Sequence, residues 1–275
     1  MKIIVRELKH IFREYHEHDG FNKAAALSFY SIVSLFPILL IVISLAGHYV
    51  GESDKLLQKI SLFIESILPK PESGNLQDTF VANLKTVVEQ KNTFGGFGIF
   101  FLFFVAHFLF TNLETTVNHF LHARVKRHFL VTRLLFLVWL SGIALLLFVP
   151  SLIDWFDDML RHWGFTMDFH WMIGGNYWFF FSAFLTFMMA MILIPTHRID
   201  FKNALLGGAI FATLMKIAQL IFRLYTHYSF SRYNLIYGSL TTLILGAIWI
   251  FYFSNIFLLC VLWVGHLQKK NYEIG

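Results

Sequence analysis

The sequence has few charged residues, five prolines and a single cysteine. Only 14% of its 275 residues are charged, whereas soluble globular domains average about 25%. The one cysteine, Cys260, excludes a fold held together by intrachain disulfides. Five prolines and 17 glycines exclude collagen and disordered chains rich in these two residues. The scarcity of charge therefore favours a protein that is largely surrounded by lipid.

The sequence instead has a large excess of apolar residues. They make up 57% of the chain, and phenylalanine alone occupies 33 positions. A membrane-spanning helix needs about 20 mostly apolar residues, and six stretches qualify. These are residues 27–50, 94–117, 130–153, 177–194, 204–225 and 236–266. Because lipid offers the backbone no hydrogen-bond partner, each span must be helical, and the predicted fold class is an all-α polytopic membrane protein with six transmembrane helices.

The distribution of lysine and arginine predicts the orientation of these spans. With the N-terminus inside, the cytoplasmic segments hold more basic residues than the outer ones, which places both termini in the cytoplasm. Residues 1–23 combine a helical apolar spacing with basic residues, which predicts an amphipathic interfacial helix. Residues 51–93 contain two apolar stripes separated by a Pro- and Gly-containing break, which predicts an outer helical hairpin between spans one and two. Residues 1–275 are predicted to form a single membrane domain.

Polar side chains recur on one face of span two and on one face of span five. They are His107, Glu114 and Asn118 in span two, and Lys216, Gln219 and Arg223 in span five. Ionisable residues inside a membrane span usually mark a functional site. The two stripes therefore predict a polar substrate path between spans two and five, with membrane lipids around it.

Each charged residue of these stripes also has a structural explanation. Glu114 is close enough to the inner boundary to form a salt bridge with Arg124 or Arg133. Arg223 lies near the outer boundary, where its side chain can extend into water. Lys216 is the hardest to explain structurally, because a buried ammonium group is costly without a partner or water.

Small residues and one proline predict close contacts between the spans. Ala204, Gly208 and Ala212 recur every four residues in span five, which allows another helix to approach closely. Pro37 lies inside span one and removes one backbone donor, which predicts a kink. We interpret these residues as packing positions, with gating as a further hypothesis.

The usual enzyme motifs are missing from the sequence. The histidine pairs His16 with His18 and His119 with His122 lack the spacing of known metal enzymes. Walker A, G-x-S-x-G and dinucleotide-binding patterns are absent. We therefore expect no catalytic residues, no metal ligands, no cofactor and no enzyme activity. Nucleic acid is not an expected partner, because no basic run outside the spans is interleaved with aromatic residues.

Three segments resemble the YihY/virulence factor BrkB family. Residues 24–37 (AAALSFYSIVSLFP) are similar to its opening motif, residues 194–208 (IPTHRIDFKNALLGG) to the entry of span five, and Tyr237-Gly238-Ser239 to the start of its last span. The match adds Tyr237 and Gly238 to the packing or gating positions. One departure is Val264-Gly265-His266, where the family usually has Gly-Ala-Glu.

The resemblance implies a multi-pass protein of the bacterial cell inner membrane with six spans. The family is usually described as uncharacterised or as transporters, and the older label "ribonuclease BN" has also been attached to it. The sequence predicts a permease, for an anionic lipid, an envelope precursor or a small anion. The alternative is a non-transporting scaffold for envelope integrity that acts through the outer hairpin, and a ribonuclease is the third hypothesis. The oligomeric state is not predicted.

Overall fold

The part of the chain that the computed structural model describes comprises residues 2–49, 91–123, 128, parts of 131–149, 153, 159, 176–237 and 240–274. Its long helices are α1 (Lys2–Glu17), α2 (Gly20–Tyr49), α3 (Lys91–Phe120), α4 (Asn176–Leu193), α5 (Phe201–Tyr237) and α6 (Thr241–Ile274). A shorter apolar helix, Leu134–Ile143, lies between α3 and α4 in the sequence. These residues include no strand, which confirms the predicted all-α class.

The predicted fifth span, residues 204–225, lies within α5, but the predicted start of the last span is wrong. The last span was expected to begin at residue 236, but Ile236 and Tyr237 belong to the end of α5, and α6 begins at Thr241. The reason is that residues 209–237 contain neither glycine nor proline, so nothing in the sequence ends the helix before Gly238. Helices α2, α3 and α4 cover nearly all of the first, second and fourth predicted spans.

Some predictions concern residues outside the described part. The outer hairpin was predicted over residues 51–93, of which only the last three are described, and they begin α3. Gly238 and Arg124 also lie outside the described residues, as does the side chain of Arg133. Pro37 lies within the helical backbone of α2.

The N-terminal segment forms the predicted amphipathic helix, but it is shorter than residues 1–23. Helix α1 ends at Glu17, and α2 begins at Gly20. The apolar side of α1 packs on protein, since Ile11 and Tyr15 are buried. The Tyr15 ring stacks on Phe120 with the ring centroids 5.8 Å apart. Burial also raises the pKa of the Tyr15 hydroxyl.

The described residues cluster into two compact units. Unit 1 comprises Met1–His18, Glu114–Lys216 and Ile256–Gly275. Unit 2 comprises Asp19–Leu113 and Ile217–Asn255. Helices α3, α5 and α6 each contribute one part to unit 1 and the other part to unit 2.

The interior of unit 1 is apolar and rich in aromatic rings. Phe187 of α4 lies between Phe211 of α5 and Phe257 of α6, with centroid distances of 4.8 and 5.4 Å. Such ring pairs contribute about 0.5–1.5 kcal/mol each beyond the burial of their area. The Trp139 indole N–H donates to the backbone carbonyl of Thr186 at 3.3 Å, which links the helix Leu134–Ile143 to α4.

The interior of unit 2 is much more polar. Its buried polar side chains come from three helices, and among the described residues they are nearly as numerous as the buried apolar ones. They are Ser28 and Ser34 of α2, Gln219 and Thr226 of α5, and Thr241, Ser254 and Asn255 of α6. The apolar contacts include Phe222 against Trp249, with a centroid distance of 4.9 Å.

One side of α5 exposes large apolar side chains. These residues recur at helical spacing and are Leu206, Leu214, Ile217, Leu220, Ile221 and Leu224. The opposite side is buried at Ala204, Ala212 and Met215. Soluble proteins rarely expose an apolar surface of this extent. By length and composition, Phe201–Ser229 and Leu243–Lys269 are both able to cross a membrane.

A substitution at Gly207 can test how tightly the interior of unit 1 is packed. A methyl group at Gly207 would collide with Val264 and lie 2.9 Å from the Phe187 ring, and both of these side chains are fully buried. We expect Gly207→Ala to lower the thermal unfolding midpoint in detergent micelles, because overpacking costs about 1–3 kcal/mol and outweighs the helix-propensity gain of up to about 1 kcal/mol.

The matched control is Gly246→Ala in α6, where an added methyl group meets nothing within 4 Å. This variant should melt at or above the wild-type temperature. Equal melting temperatures for the two variants would contradict the packing described for unit 1.

Candidate functional site

The three predicted path residues of α5 differ in exposure. Gln219 is buried and Lys216 is half-buried, whereas Arg223 is exposed. Because residues follow each other at about 100° around a helix, Lys216 and Arg223 lie together along one edge of the buried side of α5. Lys216 belongs to unit 1, and Gln219 and Arg223 belong to unit 2.

The predicted stripe of α3 is exposed at one end. His107 is exposed, while Glu114 and Asn118 are half-buried. The Thr111 hydroxyl donates to the His107 carbonyl at 2.7 Å, so that hydroxyl is satisfied within the helix. His107 belongs to unit 2, and Glu114 and Asn118 belong to unit 1. The proposed participation of all six residues in one path stays a prediction.

Asn118 has a well-defined partner in unit 1. Its side-chain oxygen accepts hydrogen bonds from the backbone N–H of Thr196 at 2.8 Å and from the Thr196 hydroxyl at 2.6 Å. Thr196 belongs to the short connection between α4 and α5, which contains Pro195. One amide therefore joins the end of α3 to this connection.

A second amide holds the other end of the same connection. The Gln268 side-chain oxygen of α6 accepts from the backbone N–H of Asp200 at 3.2 Å and from the Asn203 side chain at 2.6 Å. The Gln268 side-chain nitrogen is buried and makes no hydrogen bond to the described residues. Neither Gln268 nor Asn203 was predictable as a contact residue from the sequence, because single amides near helix ends carry no motif.

The predicted packing positions occupy different surroundings. Gly208 and Ala212 are buried, and a methyl group at Gly208 would lie 3.0 Å from the Phe184 carbonyl oxygen of α4. Tyr237 is exposed and stacks on Tyr233 at a centroid distance of 5.9 Å. The gating role of these residues stays a prediction.

The structure also brings together ionisable residues that are far apart in the sequence. His10, Glu14 and His18 lie on α1, and His122 and His266 approach them from the end of α3 and from α6. The spacing of His16, His18, His119 and His122 along the chain gave no sign of such a group. The four-residue spacing from His10 through Glu14 to His18 was a readable signal, but their partners depend on tertiary structure.

Comparison with known proteins places the chain in a family. The sequence profile described as "Virulence factor BrkB" matches residues 11–274, which is nearly the whole chain. The protein belongs to the BrkB family. This confirms the resemblance seen in the three sequence segments.

The curated relatives of this BrkB-family protein are named as membrane proteins. A UPF0761 membrane protein of Chromohalobacter salexigens is 24% identical over 99% of this chain, which covers 66% of that relative. UPF0761 membrane proteins of Coxiella burnetii and Pseudoalteromonas translucida are 23% and 24% identical, with 89% and 82% of their lengths covered. No solved structure matches the chain. The chain is thus a membrane protein of a family whose names state no activity.

The Asn118 contacts of this BrkB-family protein yield a direct test. Asn118→Leu removes the acceptor of both Thr196 donors, which should cost about 1–3 kcal/mol of local stability. We expect faster amide hydrogen exchange at residues 194–200. Asn118→Asp keeps an acceptor oxygen at this position and should keep exchange near the wild-type rate. Similar exchange rates for the Leu and Asp variants would show that these hydrogen bonds do not hold the connection.

Proposed function

We propose that this protein is a membrane permease whose polar pathway follows the buried side of α5. The observation that carries the proposal is the polar interior of unit 2, formed by side chains of α2, α5 and α6. Burying polar groups in an apolar environment costs free energy. In membrane proteins such residues commonly face a substrate pathway or a water-filled cavity.

Three hydroxyl groups of this interior are satisfied in a way that leaves acceptor capacity, whereas the buried Thr241 hydroxyl makes no hydrogen bond to the described residues. Ser28, Thr226 and Ser254 each donate to a backbone carbonyl three or four residues earlier, at 2.8–3.0 Å. Each hydroxyl oxygen also carries two acceptor lone pairs. Those lone pairs can accept hydrogen bonds from water or from a passing solute. The three hydroxyl donors already have partners within their own helices.

The charge along α5 supports an anionic substrate. Lys216 is half-buried, and Arg223 lies on the same edge of the helix. Arg223 is exposed next to the large apolar side chains Leu220 and Leu224. A cationic group beside a lipid-facing apolar surface suits the headgroup and acyl chains of an anionic lipid, which is the substrate class that we favour over a small anion.

We further propose that the protein crosses the bacterial inner membrane six times, with both termini in the cytoplasm. Helices α2 and α3 have 30 residues each, which corresponds to about 45 Å at 1.5 Å per residue and exceeds the thickness of the bilayer core. The excess of lysine and arginine in the predicted cytoplasmic segments supports the orientation. The scaffold alternative depends on the outer hairpin, and no described residue favours it.

Lys216→Met tests the proposal in proteoliposomes of purified protein. The assay follows a labelled anionic lipid and a small anion side by side, with protein-free liposomes as the baseline. Wild-type protein should accelerate movement of the lipid. Loss of the cation should lower that rate at least tenfold, because the attraction of the pathway for the anion is removed.

Lys202→Met is the matched control, since Lys202 is an exposed lysine at the start of the same helix. It should transport at the wild-type rate. Equal rates for Lys216→Met and wild type would contradict the pathway along α5. Movement of neither solute above the protein-free baseline would contradict the permease proposal for these substrates.

A further inference from the structure

One side of α1 carries a run of potential metal ligands. His10, Glu14 and His18 follow each other at intervals of four residues, so they lie on the same face of the helix. Glu14 and His18 are half-buried, and His10 is exposed. This face is distinct from the pathway proposed above, because all three residues lie on α1 and none is on α5.

Two histidines from other helices complete this group. Glu14 and His10 meet His266 of α6, and Glu14 and His18 meet His122 at the end of α3. Within each triad the nitrogen and oxygen atoms able to bind a metal lie within 4.8 Å of one another. Glu14 is common to both triads, so its carboxylate stands at the centre of four imidazoles.

The backbone at His122 forms a hydrogen-bonded end to α3. The His122 N–H bonds the His119 carbonyl at 3.1 Å, and the Ala123 N–H bonds the Asn118 carbonyl at 2.9 Å. This is the Schellman pattern that ends many helices, and its left-handed position usually belongs to glycine. Here His122 occupies this position with a φ of 52°. A histidine there is unfavourable for the backbone, but it directs an imidazole towards α1.

The chemistry of the group matches a transition-metal site better than an ion pair. The His10 Nδ1 atom is 3.7 Å from the Glu14 carboxylate, and one carboxylate cannot pair with four imidazoles at once. Imidazole nitrogen and carboxylate oxygen are the ligands of zinc and related divalent ions. Such ions bind these atoms at about 2.0–2.2 Å, so modest side-chain rotations would bring a triad onto one ion.

We propose that Glu14 is the central ligand of a site for one divalent transition-metal ion. His10 with His266, or His18 with His122, supplies the histidine ligands. A single ion fits the group, because both triads share the one carboxylate of Glu14. An ion bound there ties α1 to α6 through the first triad, or to the end of α3 through the second, and these segments are far apart in the sequence.

Metal titration of the full-length protein tests this site. The protein is purified in detergent without a histidine tag, treated with chelator, and titrated with Co²⁺ followed by Zn²⁺. Visible Co²⁺ absorption, its displacement by Zn²⁺ and elemental analysis give the coordination, affinity and stoichiometry. We expect one ion per chain, and Glu14→Gln should weaken binding at least tenfold. Replacing one histidine of each triad, in His10→Gln/His122→Gln, should weaken it to a similar extent.

His16→Gln is the matched control, because His16 is an exposed histidine of the same helix and belongs to neither triad. It should bind as wild type does. The proposal is overturned if wild type binds no ion, or if Glu14→Gln and the double variant both bind as tightly as His16→Gln. Helical content measured without metal confirms that each variant is folded. The titration involves no transport, so its outcome is independent of the permease proposal.

Discussion

Hydrogen bonds from side-chain hydroxyls to the carbonyls of their own helix recur through this protein. Ser28, Ser34, Thr226 and Ser254 are buried, and each makes such a bond at 2.7–3.0 Å. Leaving a buried donor without a partner would cost about 1–3 kcal/mol. Because these four hydroxyls are satisfied within their own helices, they require no hydrogen-bond network between the helices of unit 2. An interior of this kind is compatible with transport.

Unit 1 differs from unit 2 in the composition of its interior and in its polar contacts. Its interior contains packed aromatic rings and fully buried aliphatic side chains. Its polar contacts join separate segments, as Asn118 and Gln268 do for the connection between α4 and α5. The histidine and carboxylate group on α1 belongs to this same unit. Asn118 and Gln268 thus connect separate segments of unit 1, whereas the four buried hydroxyls named above for unit 2 bond within their own helices.

The helices were largely predictable from the sequence, and the contacts were not. Long apolar runs and the small residues around Gly208 are local signals, and they indicated the helices and the buried side of α5. The end of α5 was misplaced because polar and aromatic residues after Thr226 lower the hydropathy without ending a helix. The sequence did not predict that His122 and His266 lie close to Glu14, since these contacts depend on the packing of α1 against other segments. Gln268 was missed for the same reason, because its two partners lie more than 60 residues away.

The accessibility of Gln219 to water tests the central claim most directly. Cys260 is the only cysteine of the chain, so Cys260→Ala provides a cysteine-free background. Gln219→Cys and Leu220→Cys then place a thiol on the buried side and on the exposed apolar side of α5. A polar pathway predicts that a small, charged, membrane-impermeant thiol reagent modifies the cysteine at 219 and leaves the one at 220 intact. Equal protection of both cysteines would mean that the interior is dry, and this would contradict the pathway.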